Sequence, residues 1–230
     1  MIYVMSDLHG RYDLYRAMLD KIELKDTDTL YILGDFVDRG GEGLKILLDI
    51  QERRNVIGLM GNHDYHAHVI LSALTRPLRP GELEDMRSLL NVWTINGGKS
   101  TYREFKSLTP EERYIALTAI DNLRIFAEVK AGGREFVLCH GGISDYTPDR
   151  PLSDYPIESF IFVREDYSIP KFNKEGKYLI TGHTPTVCIE GATEGRIYRS
   201  HDHIAIDCGA VFGCGLGCLC LDTLEEFYVS

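Results

Sequence analysis

The stretch Leu33-Gly34-Asp35-Phe36-Val37-Asp38-Arg39-Gly40 follows an apolar run at residues 29–33, which has the length and composition of a buried strand. Its two carboxylates and its arginine therefore begin where a strand ends. Gly34 and Gly40 allow the backbone to turn sharply at this point. Because ligands of parallel sheets bind beyond the carboxyl ends of the strands, this stretch is the first candidate for a functional site.

The same order of strand, polar turn and helix occurs three times near the start of the chain. Strands predicted at residues 2–5, 29–33 and 56–60 each lead to a polar turn and then to a segment with helical periodicity. If right-handed crossovers join these strands in one sheet, all three turns lie on the same rim. We therefore expect these side chains to converge: Asp7, His9, Asp35, Asp38, Asn62 and His63.

Helical patterns dominate residues 65–122. Thr109-Pro110, with a glutamate two residues later, predicts a capped helix over residues 110–122. Gly97-Gly98 resembles part of a phosphate-binding loop, but the first glycine of that motif would fall on Trp93. We therefore interpret this glycine pair as the start of a helix near the site.

Strand signals dominate the chain after residue 122. The predicted strands are residues 125–129, 135–138, 177–180, 204–207, 216–221 and 226–229, with a shorter segment near Ile197. Gly132-Gly133 predicts a hairpin between the first two, and the last strands are expected to be antiparallel. Residues 145–156 contain three prolines and are expected to form a surface loop. The second and third strands end beside His140 and His183, each next to a glycine.

His140 and His183 complete a mixed set of nitrogen and oxygen donors. Such a set suits manganese, iron or zinc better than magnesium or calcium. One carboxylate between two ions can bridge them, and two ions about 3.5–4 Å apart lower the pKa of a shared water and stabilise an in-line displacement at phosphorus. The candidate ligands are Asp7, His9, Asp35, Asn62, His140 and His183.

The composition is that of a compact protein. A chain of 230 residues with 44% hydrophobic residues is expected to form one domain spanning residues 1–230. The apolar run at residues 1–5 is too short for a signal peptide or a membrane span, and the six cysteines lack secreted-type spacing, so we expect a cytoplasmic protein. A formal net charge of −10 argues against binding to nucleic acid or anionic membranes.

Three cysteines near the end of the chain, Cys214, Cys218 and Cys220, raise the alternative of a separate metal site. Their spacing is not the C-x-x-C pair of a zinc site. Cys218 and Cys220 alternate as neighbours on one strand face would, so we interpret these residues as small buried thiols in a strand.

The remaining histidines are less informative. The spacing of His201 and His203 is compatible with a pair of metal ligands, but we expect them to cap the start of a strand. His66 and His68 are expected on a helix without sharing one face. Asp207 is a candidate for orienting a ligand histidine, and its role is left open.

Five blocks of the chain resemble, in order, the calcineurin-like metallophosphoesterases. The blocks are residues 7–9, 34–40, 61–64, 140–142 and 182–184, with further similarity at residues 95–98, 162–165 and 206–212. The strongest resemblance is to the small bacterial and bacteriophage lambda-type serine/threonine phosphatases of the phosphoprotein phosphatase family. It implies an α/β fold, a four-layer α-β-β-α sandwich of two mixed sheets.

The resemblance also implies a pair of divalent metal ions, with manganese expected and iron or zinc as alternatives. Asp7, His9 and Asp35 would hold the first ion. Asp35 would bridge to the second ion, whose other implied ligands are Asn62, His140 and His183.

The implied reaction is direct attack of a metal-bridging hydroxide on phosphorus, without a phosphoenzyme. His63 would protonate the leaving oxygen while Asp38 orients its imidazole. Arg39 and Arg164 would clamp the phosphate oxygens, and Asn62 would also contact the phosphate. Covalent phosphatase chemistry fits less well, because the position six residues after Cys139 is Asp145 and not an arginine.

The substrate is left open between phosphorylated proteins and small phosphoesters. The compact length and the block at residues 140–142 favour a phosphomonoesterase acting on phosphoserine and phosphothreonine in proteins, with phosphotyrosine as a further substrate. Symmetrical diadenosine tetraphosphatases, which resemble the N-terminal half, are the alternative. A non-catalytic phosphate-binding module is more remote, because every group expected of the enzyme is present.

Overall fold

The computed structural model describes residues 1–77, 79 and 81–230, the side chain of residue 83 excepted. Its strands are β1 (Ile2–Met5), β2 (Thr29–Ile32), β3 (Val56–Gly58), β4 (Phe126–Ala131), β5 (Arg134–Cys139), β6 (Lys177–Thr181), β7 (Tyr198–Ser200), β8 (His203–Ala205), β9 (Leu216–Cys220) and β10 (Glu226–Val229). Its α-helices are α1 (Tyr12–Lys21), α2 (Gly43–Gln51), α3 (Asn62–Leu74), α4 (Glu82–Trp93), α5 (Lys99–Ser107), α6 (Pro110–Asp121) and α7 (Glu158–Ile161).

The first sheet has the strand order β10-β9-β1-β2-β3, in which β1, β2 and β3 are parallel, β9 is antiparallel to β1, and β10 is antiparallel to β9. Met5 pairs with Ile32, and Ile32 pairs with Gly58, so the three parallel strands end at the same level. The turns that follow them therefore share one rim, which confirms the expectation from the repeated strand-turn-helix pattern.

The second sheet has the order β4-β5-β6-β8-β7. The hairpin of β4 and β5 is confirmed, and β5 and β6 are parallel, so His140 and His183 follow two neighbouring strands at one rim. The prediction that the last strands are all antiparallel is wrong for β8, which lies parallel to β6 and antiparallel to β7. β8 also ends at Ala205, which leaves Asp207 in the turn beyond the strand and not within it.

The two sheets pack face to face through an apolar layer. Val4 of the first sheet and Phe136 and Ile180 of the second belong to the cluster between the sheets. Tyr3 and Met5, which alternate with Val4, belong instead to the cluster that includes buried residues of α1 and α2. Alternation along each strand thus buries both faces of the first sheet, and the expected α/β sandwich of two mixed sheets is confirmed.

The layer outside the second sheet is thin. Phe126, whose side chain is on the outer face of β4, stacks on Phe160 of the four-residue helix α7 with ring centroids 5.1 Å apart. Residues 145–156 are mostly exposed and irregular, as their prolines predicted, with one 3₁₀ turn at Leu152–Asp154. Irregular segments therefore cover much of the outer face of the second sheet, whereas helices cover the outer face of the first sheet.

The helical region between β3 and β4 contains α3 to α6. The predicted start of α6 is confirmed, because Glu112 N donates to Thr109 Oγ1 at 3.2 Å and Thr109 N donates to a Glu112 carboxylate oxygen at 2.8 Å. The segment Thr94–Gly98 joins α4 to α5 and contains a kink at Gly97, whose φ angle is 113°, and α5 begins directly after Gly98. Among the residues described, the helices are too short or too polar to cross a bilayer.

Candidate metal centre

The turns after β1 and β2 hold the first candidate residues in left-handed backbone conformations. The φ angles of Asp7, His9 and Asp35 are 53°, 43° and 55°, and that of His183, after β6, is 64°. A non-glycine residue adopts such angles only where surrounding contacts compensate the strain. Here Asp7 N donates to Gly34 O at 3.1 Å and His9 N donates to Asp35 O at 2.8 Å. The two turns therefore stabilise each other.

Asp35 lies at the centre of the site. Its carboxylate oxygens are 3.5 Å from His9 Nε2 and 3.4 Å from His140 Nε2, and one of them also accepts the backbone N–H of His63 at 3.0 Å. Two sets of donor atoms, each within 4.8 Å of one another, share this carboxylate: His9, Asp35 and His63, and Asp35, His140 and His183. The ring centroids of His9 and His63 are 4.8 Å apart, and those of His140 and His183 are 4.9 Å apart.

The hydrogen bonds of His140 show that this donor set fits a cation. Its Nδ1 lies 2.7 Å from the Leu33 carbonyl oxygen, which can only accept, so Nδ1 carries the proton and Nε2 carries a lone pair. That lone pair faces Asn62 Oδ1 at 3.0 Å and Asp35 at 3.4 Å. Burial lowers the pKa of His140, which keeps the imidazole neutral. Acceptors that face one another in this way are stabilised by a metal ion between them.

His9 and His183 have the same character. His9 Nδ1 donates to the Val37 carbonyl oxygen at 2.9 Å, so Nε2 carries a lone pair, which lies 2.7 Å from Arg39 Nη1 and 3.5 Å from Asp35. Burial lowers the pKa of His9 and of His183 to about 3 in each case. Both imidazoles are therefore neutral at pH 7 and available as nitrogen ligands.

Asp7 lines the same cavity, but among the described residues its oxygens fall outside both sets of donor atoms. Its carboxylate accepts the His183 N–H at 3.0 Å and the hydroxyl of Ser6. Burial, together with the nearby charges of Asp207 and Asp35, raises the pKa of Asp7 well above its ordinary value. Three neighbouring buried carboxyl groups are further reason to expect a cation here.

His63 differs from the other imidazoles. Its Nδ1 lies 2.7 Å from Asp38 Oδ2, and Asp38 is fully buried. Burial by itself would lower the pKa of His63, but the charge of Asp35 and the hydrogen bond to Asp38 outweigh it and raise the pKa above its ordinary value. His63 therefore differs from His9, His140 and His183, whose pKa values are lowered by burial.

Two guanidinium groups line the cavity, whose volume is about 170 Å³. Arg39 Nη1 lies 2.7 Å from His9 Nε2, and its Nη2 lies 3.1 Å from His63 Nε2. Arg164 Nη1 donates to the His183 carbonyl oxygen at 2.9 Å and to Thr184 Oγ1 at 3.1 Å. The sequence-predicted residues from five separate turns are thus brought to one concave site of size suited to a phosphoryl group.

Comparison with known proteins decides the family. The model of the calcineurin-like phosphoesterase family matches residues 1–205. The chain belongs to this family. The family uses a centre of two divalent metal ions, in agreement with the two donor sets that share Asp35.

The curated relatives match this calcineurin-like phosphoesterase over only part of their own length. A symmetrical bis(5'-nucleosyl)-tetraphosphatase of Salmonella paratyphi A is 38% identical over 76 residues, which are 32% of this chain and 27% of that protein. The corresponding protein of Salmonella newport is also 38% identical over 76 residues. The matched region thus spans about a quarter of these relatives.

Solved structures show the same fold at low sequence identity. One, of a protein whose proposed activity is diadenosine tetraphosphatase, has a TM-score of 0.65 at 17% identity and covers 99% of this chain and 92% of that chain. A serine/threonine phosphatase from Saccharomyces cerevisiae has a TM-score of 0.62 at 13% identity, covering 100% and 80%. Both likenesses concern the fold of this calcineurin-like phosphoesterase.

Several residues of the site were missed by sequence reasoning. His66, Trp93 and Asn96 line the cavity. His66 was placed on a helix, correctly, but its approach to the site follows only from its position one turn after His63 on α3. Trp93 and Asn96 come from the α4–α5 junction, where the available signals were the glycine pair and the family similarity at residues 95–98.

Asp64 was also missed as a structural support of the site. Its buried carboxylate accepts the backbone N–H groups of Asp35 at 2.7 Å and of Phe36 at 3.0 Å, and it also accepts that of Gly61 at 3.0 Å. It therefore ties the start of α3 to the turn after β2. The spacing of Gly61 and Asp64 at a helix start was the signal for such a cap.

The residues interpreted as structural lie away from the site. Cys218 and Cys220 are buried on one face of β9, as predicted, but the prediction is wrong for Cys214, which is partly exposed in the turn before β9. No cysteine of the described residues belongs to a metal-capable group. His203 is buried at the start of β8, where its Nε2 lies 2.9 Å from the Ile169 carbonyl oxygen. The preceding Asp202 accepts three backbone N–H groups of residues 171–173, so this motif anchors a loop.

Proposed function

We propose that this chain is a metal-dependent phosphomonoesterase that removes phosphate from phosphoserine and phosphothreonine in proteins. The observation that carries the proposal is the environment of Asp35, whose carboxylate lies between two pairs of imidazoles and faces a cavity of about 170 Å³ lined by Arg39 and Arg164. A cavity of this size accommodates a phosphoryl group while the remainder of a large substrate stays outside.

We propose that the chain holds two divalent ions through its converging side chains, with Asp35 shared between them. Manganese is the first expectation for a mixed nitrogen and oxygen donor set, and iron and zinc fit the same donors. When bound, two such ions lower the pKa of a water and neutralise charge on the phosphate. The proposed ligands are Asp7, His9, Asp35, Asn62, His140 and His183.

The phosphate would be oriented by the two arginines. Arg39 and Arg164 each present a guanidinium to the cavity, and such groups form charge-assisted, bidentate contacts with phosphate oxygens. Asn62 lies beside His140 at the same wall and adds an amide to the set. These contacts would strengthen as negative charge builds on the oxygens in the transition state.

His63 would supply the proton to the leaving oxygen. Its pKa is raised above the ordinary value, and Asp38 holds Nδ1, so Nε2, which lies 3.1 Å from Arg39 Nη2, is the nitrogen at the cavity. A serine or threonine alkoxide is a poor leaving group, so proton transfer in the transition state contributes about 10²–10⁴-fold to the rate.

The six cysteines, all free, support the further proposal that the protein works in the reducing cytoplasm.

A second candidate substrate is a dinucleoside polyphosphate. The observation in its favour is the 38% identity over 76 residues to proteins named symmetrical bis(5'-nucleosyl)-tetraphosphatase. Two arginines and a metal pair suit a polyphosphate as well as a phosphomonoester, because the same in-line displacement cleaves both.

The test is a comparison of substrates on manganese-loaded protein. Phosphoserine and phosphothreonine peptides should release inorganic phosphate with a kcat/KM well above that for diadenosine tetraphosphate. The reverse order, with ADP as the product, would replace the first candidate by the second. In the Asp35→Asn variant, elemental analysis should show the loss of both bound ions, and the phosphate-release assay should show no turnover. If the wild-type protein binds two ions and turns over none of these substrates, the chain is a phosphate-binding module.

A further inference from the structure

Asp38 accepts more hydrogen bonds than its role beside His63 requires. Its Oδ2 accepts the indole Nε1–H of Trp93 at 2.8 Å in addition to the bond with His63. Its Oδ1 accepts the hydroxyl of Thr101 at 2.6 Å, and the same Thr101 oxygen accepts the backbone N–H of Asp38 at 2.8 Å. All of these side chains are buried.

We propose that Trp93 and Thr101 are positioning residues that fix the Asp38 carboxylate and, through it, the proton-donating geometry of His63. This inference rests on the proposed function, in which His63 protonates the leaving oxygen. Neither residue is placed in contact with the reacting atoms by this role. Both act by determining where, and in which direction, Asp38 presents the oxygen that His63 binds.

The geometry leaves the carboxylate little freedom. A carboxylate that binds at one oxygen only can rotate about its Cβ–Cγ bond and carry the imidazole with it. In this structure Thr101 holds Oδ1 while Trp93 and His63 share Oδ2, so rotation would break at least two buried hydrogen bonds.

Trp93 is itself held by the chain that follows it. A Cβ built on Gly98 would lie 2.3 Å from atoms of the indole ring, so only glycine lets the backbone lie flat against it. The preceding Gly97 accepts the Arg39 N–H at 3.1 Å, and a Cβ there would lie 2.6 Å from Arg39 Cγ. The segment Thr94–Gly98 thus fits against both residues of the Asp38-Arg39 pair, through the indole ring of Trp93 on one side and Gly97 on the other.

Trp93 also gives the site a spectroscopic label. It is the only tryptophan of the sequence, and it lines the cavity in which phosphate is proposed to bind. The protein therefore has a single indole N–H resonance, and that resonance reports directly on the hydrogen bond to Asp38.

The kinetic test uses two leaving groups on manganese-loaded protein. Trp93→Phe keeps an aromatic ring and removes the N–H donor. We expect kcat for a phosphoserine peptide to fall about tenfold to a hundredfold, within the total contribution of an acid catalyst, with KM nearly unchanged. For p-nitrophenyl phosphate, whose leaving group needs little protonation, we expect a fall of less than about threefold. An equal fall for both substrates would assign Trp93 a structural role and overturn the proposal.

Thr101 provides a matched pair of variants, and His63 provides a background. Thr101→Val removes the hydroxyl at similar volume and should show the same leaving-group dependence, whereas Thr101→Ser should retain most of the activity. In a His63→Asn protein, adding Trp93→Phe should lower kcat for the peptide by less than about twofold, because residues that act as one unit are not additive. A full additional loss in that background would contradict action through His63.

A measurement without turnover separates the two proposals. In zinc-loaded protein, Asp38→Asn should shift the Trp93 indole N–H resonance, because the acceptor loses its charge. An unchanged resonance would overturn the positioning role even if the enzyme is active. Conversely, if the resonance shifts but the wild-type protein hydrolyses neither substrate, the hydrogen bond stands and both the proposed function and the catalytic part of this inference fall.

Discussion

The Nδ1 atom of His63 lies 2.7 Å from Oδ2 of Asp38, and this pair separates His63 from the imidazoles around it. Burial lowers the pKa of His9 and His183 to about 3, whereas charge and hydrogen bonding at His63 outweigh burial and raise its pKa. One side-chain type is thereby suited to the two tasks that we propose: neutral nitrogen donors for metal ions, and a proton donor to the leaving group.

Replacing His63 with asparagine tests this division. We expect kcat for a phosphoserine peptide to fall about 10²–10⁴-fold, because the proton donor is lost. The content of bound metal, measured by elemental analysis, should stay the same. His68→Asn is the matched control, since His68 lies on the same helix and pairs with Asp121 at 2.9 Å outside the cavity. Loss of an ion in the His63 variant would make this residue a ligand instead.

Gly61→Ala tests how closely the third turn approaches the metal centre. A Cβ at Gly61 would lie 2.2 Å from Asp35 Oδ1 and 2.3 Å from Asp35 N, so the carboxylate must move. We expect weaker binding of both ions and a fall in kcat of at least about tenfold, since a small displacement of a positioned group is costly. Gly41→Ala is the control, because a Cβ there meets nothing within 4 Å. Equal metal affinity in both variants would refute this account.

The convergence of the first turns was predictable because it follows from local patterns. The parallel order of β1, β2 and β3 is the usual result of strand-turn-helix repeats, and it carries Asp7, Asp35 and Asn62 to one rim. His140 and His183 were found from their glycine-flanked positions at strand ends. In these cases the candidate site residue lies directly after the end of a strand, and the glycine beside it indicates that end in the sequence.

The remaining parts of the site depend on tertiary contacts that leave little trace in sequence. Thr101 meets Asp38 across 63 residues, and no periodicity relates the two positions. The left-handed φ angle of Arg39, 67°, occurs at a residue type with no intrinsic preference for that conformation. The parallel direction of β8 was missed for a similar reason, because the connection from β6 runs through β7 and contains no helix between strands to mark a crossover.

Away from the site, the contacts of Asp49 lead to a prediction of how the free energy of unfolding depends on pH. Its carboxylate accepts the Tyr15 hydroxyl at 2.7 Å and Arg53 Nε at 2.6 Å. Burial alone would raise the pKa of Asp49, but these two hydrogen bonds outweigh it and lower the pKa below its ordinary value. Asp49→Asn should therefore reduce the free energy of unfolding at pH 7 by about 1 kcal/mol.

The sign of the pH dependence follows from the lowered pKa. The stabilisation by Asp49 is complete above the unfolded value of about 3.9 and is lost as the pH falls through the lower folded value. The difference between wild type and Asp49→Asn should thus be constant from pH 7 to about 5 and shrink below pH 4. Urea unfolding at a series of pH values measures it, and the exposed Asp20→Asn serves as control. A difference that grows on acidification would contradict the lowered pKa.

Thiol reactivity tests the interpretation of the cysteines. Cys188 is exposed, whereas burial raises the pKa of Cys208 to about 12 and raises that of Cys218 above its ordinary value. Because the thiolate is the reactive form, a disulfide reagent at pH 8 should modify Cys188 rapidly and the buried thiols only after unfolding. Cys188→Ser should remove the fastest phase and leave the partly exposed Cys214 as the one other thiol that reacts before unfolding. If a chelator instead released fast-reacting thiols at Cys218 and Cys220, those residues would hold a metal ion, and their packing in β9 would need another explanation.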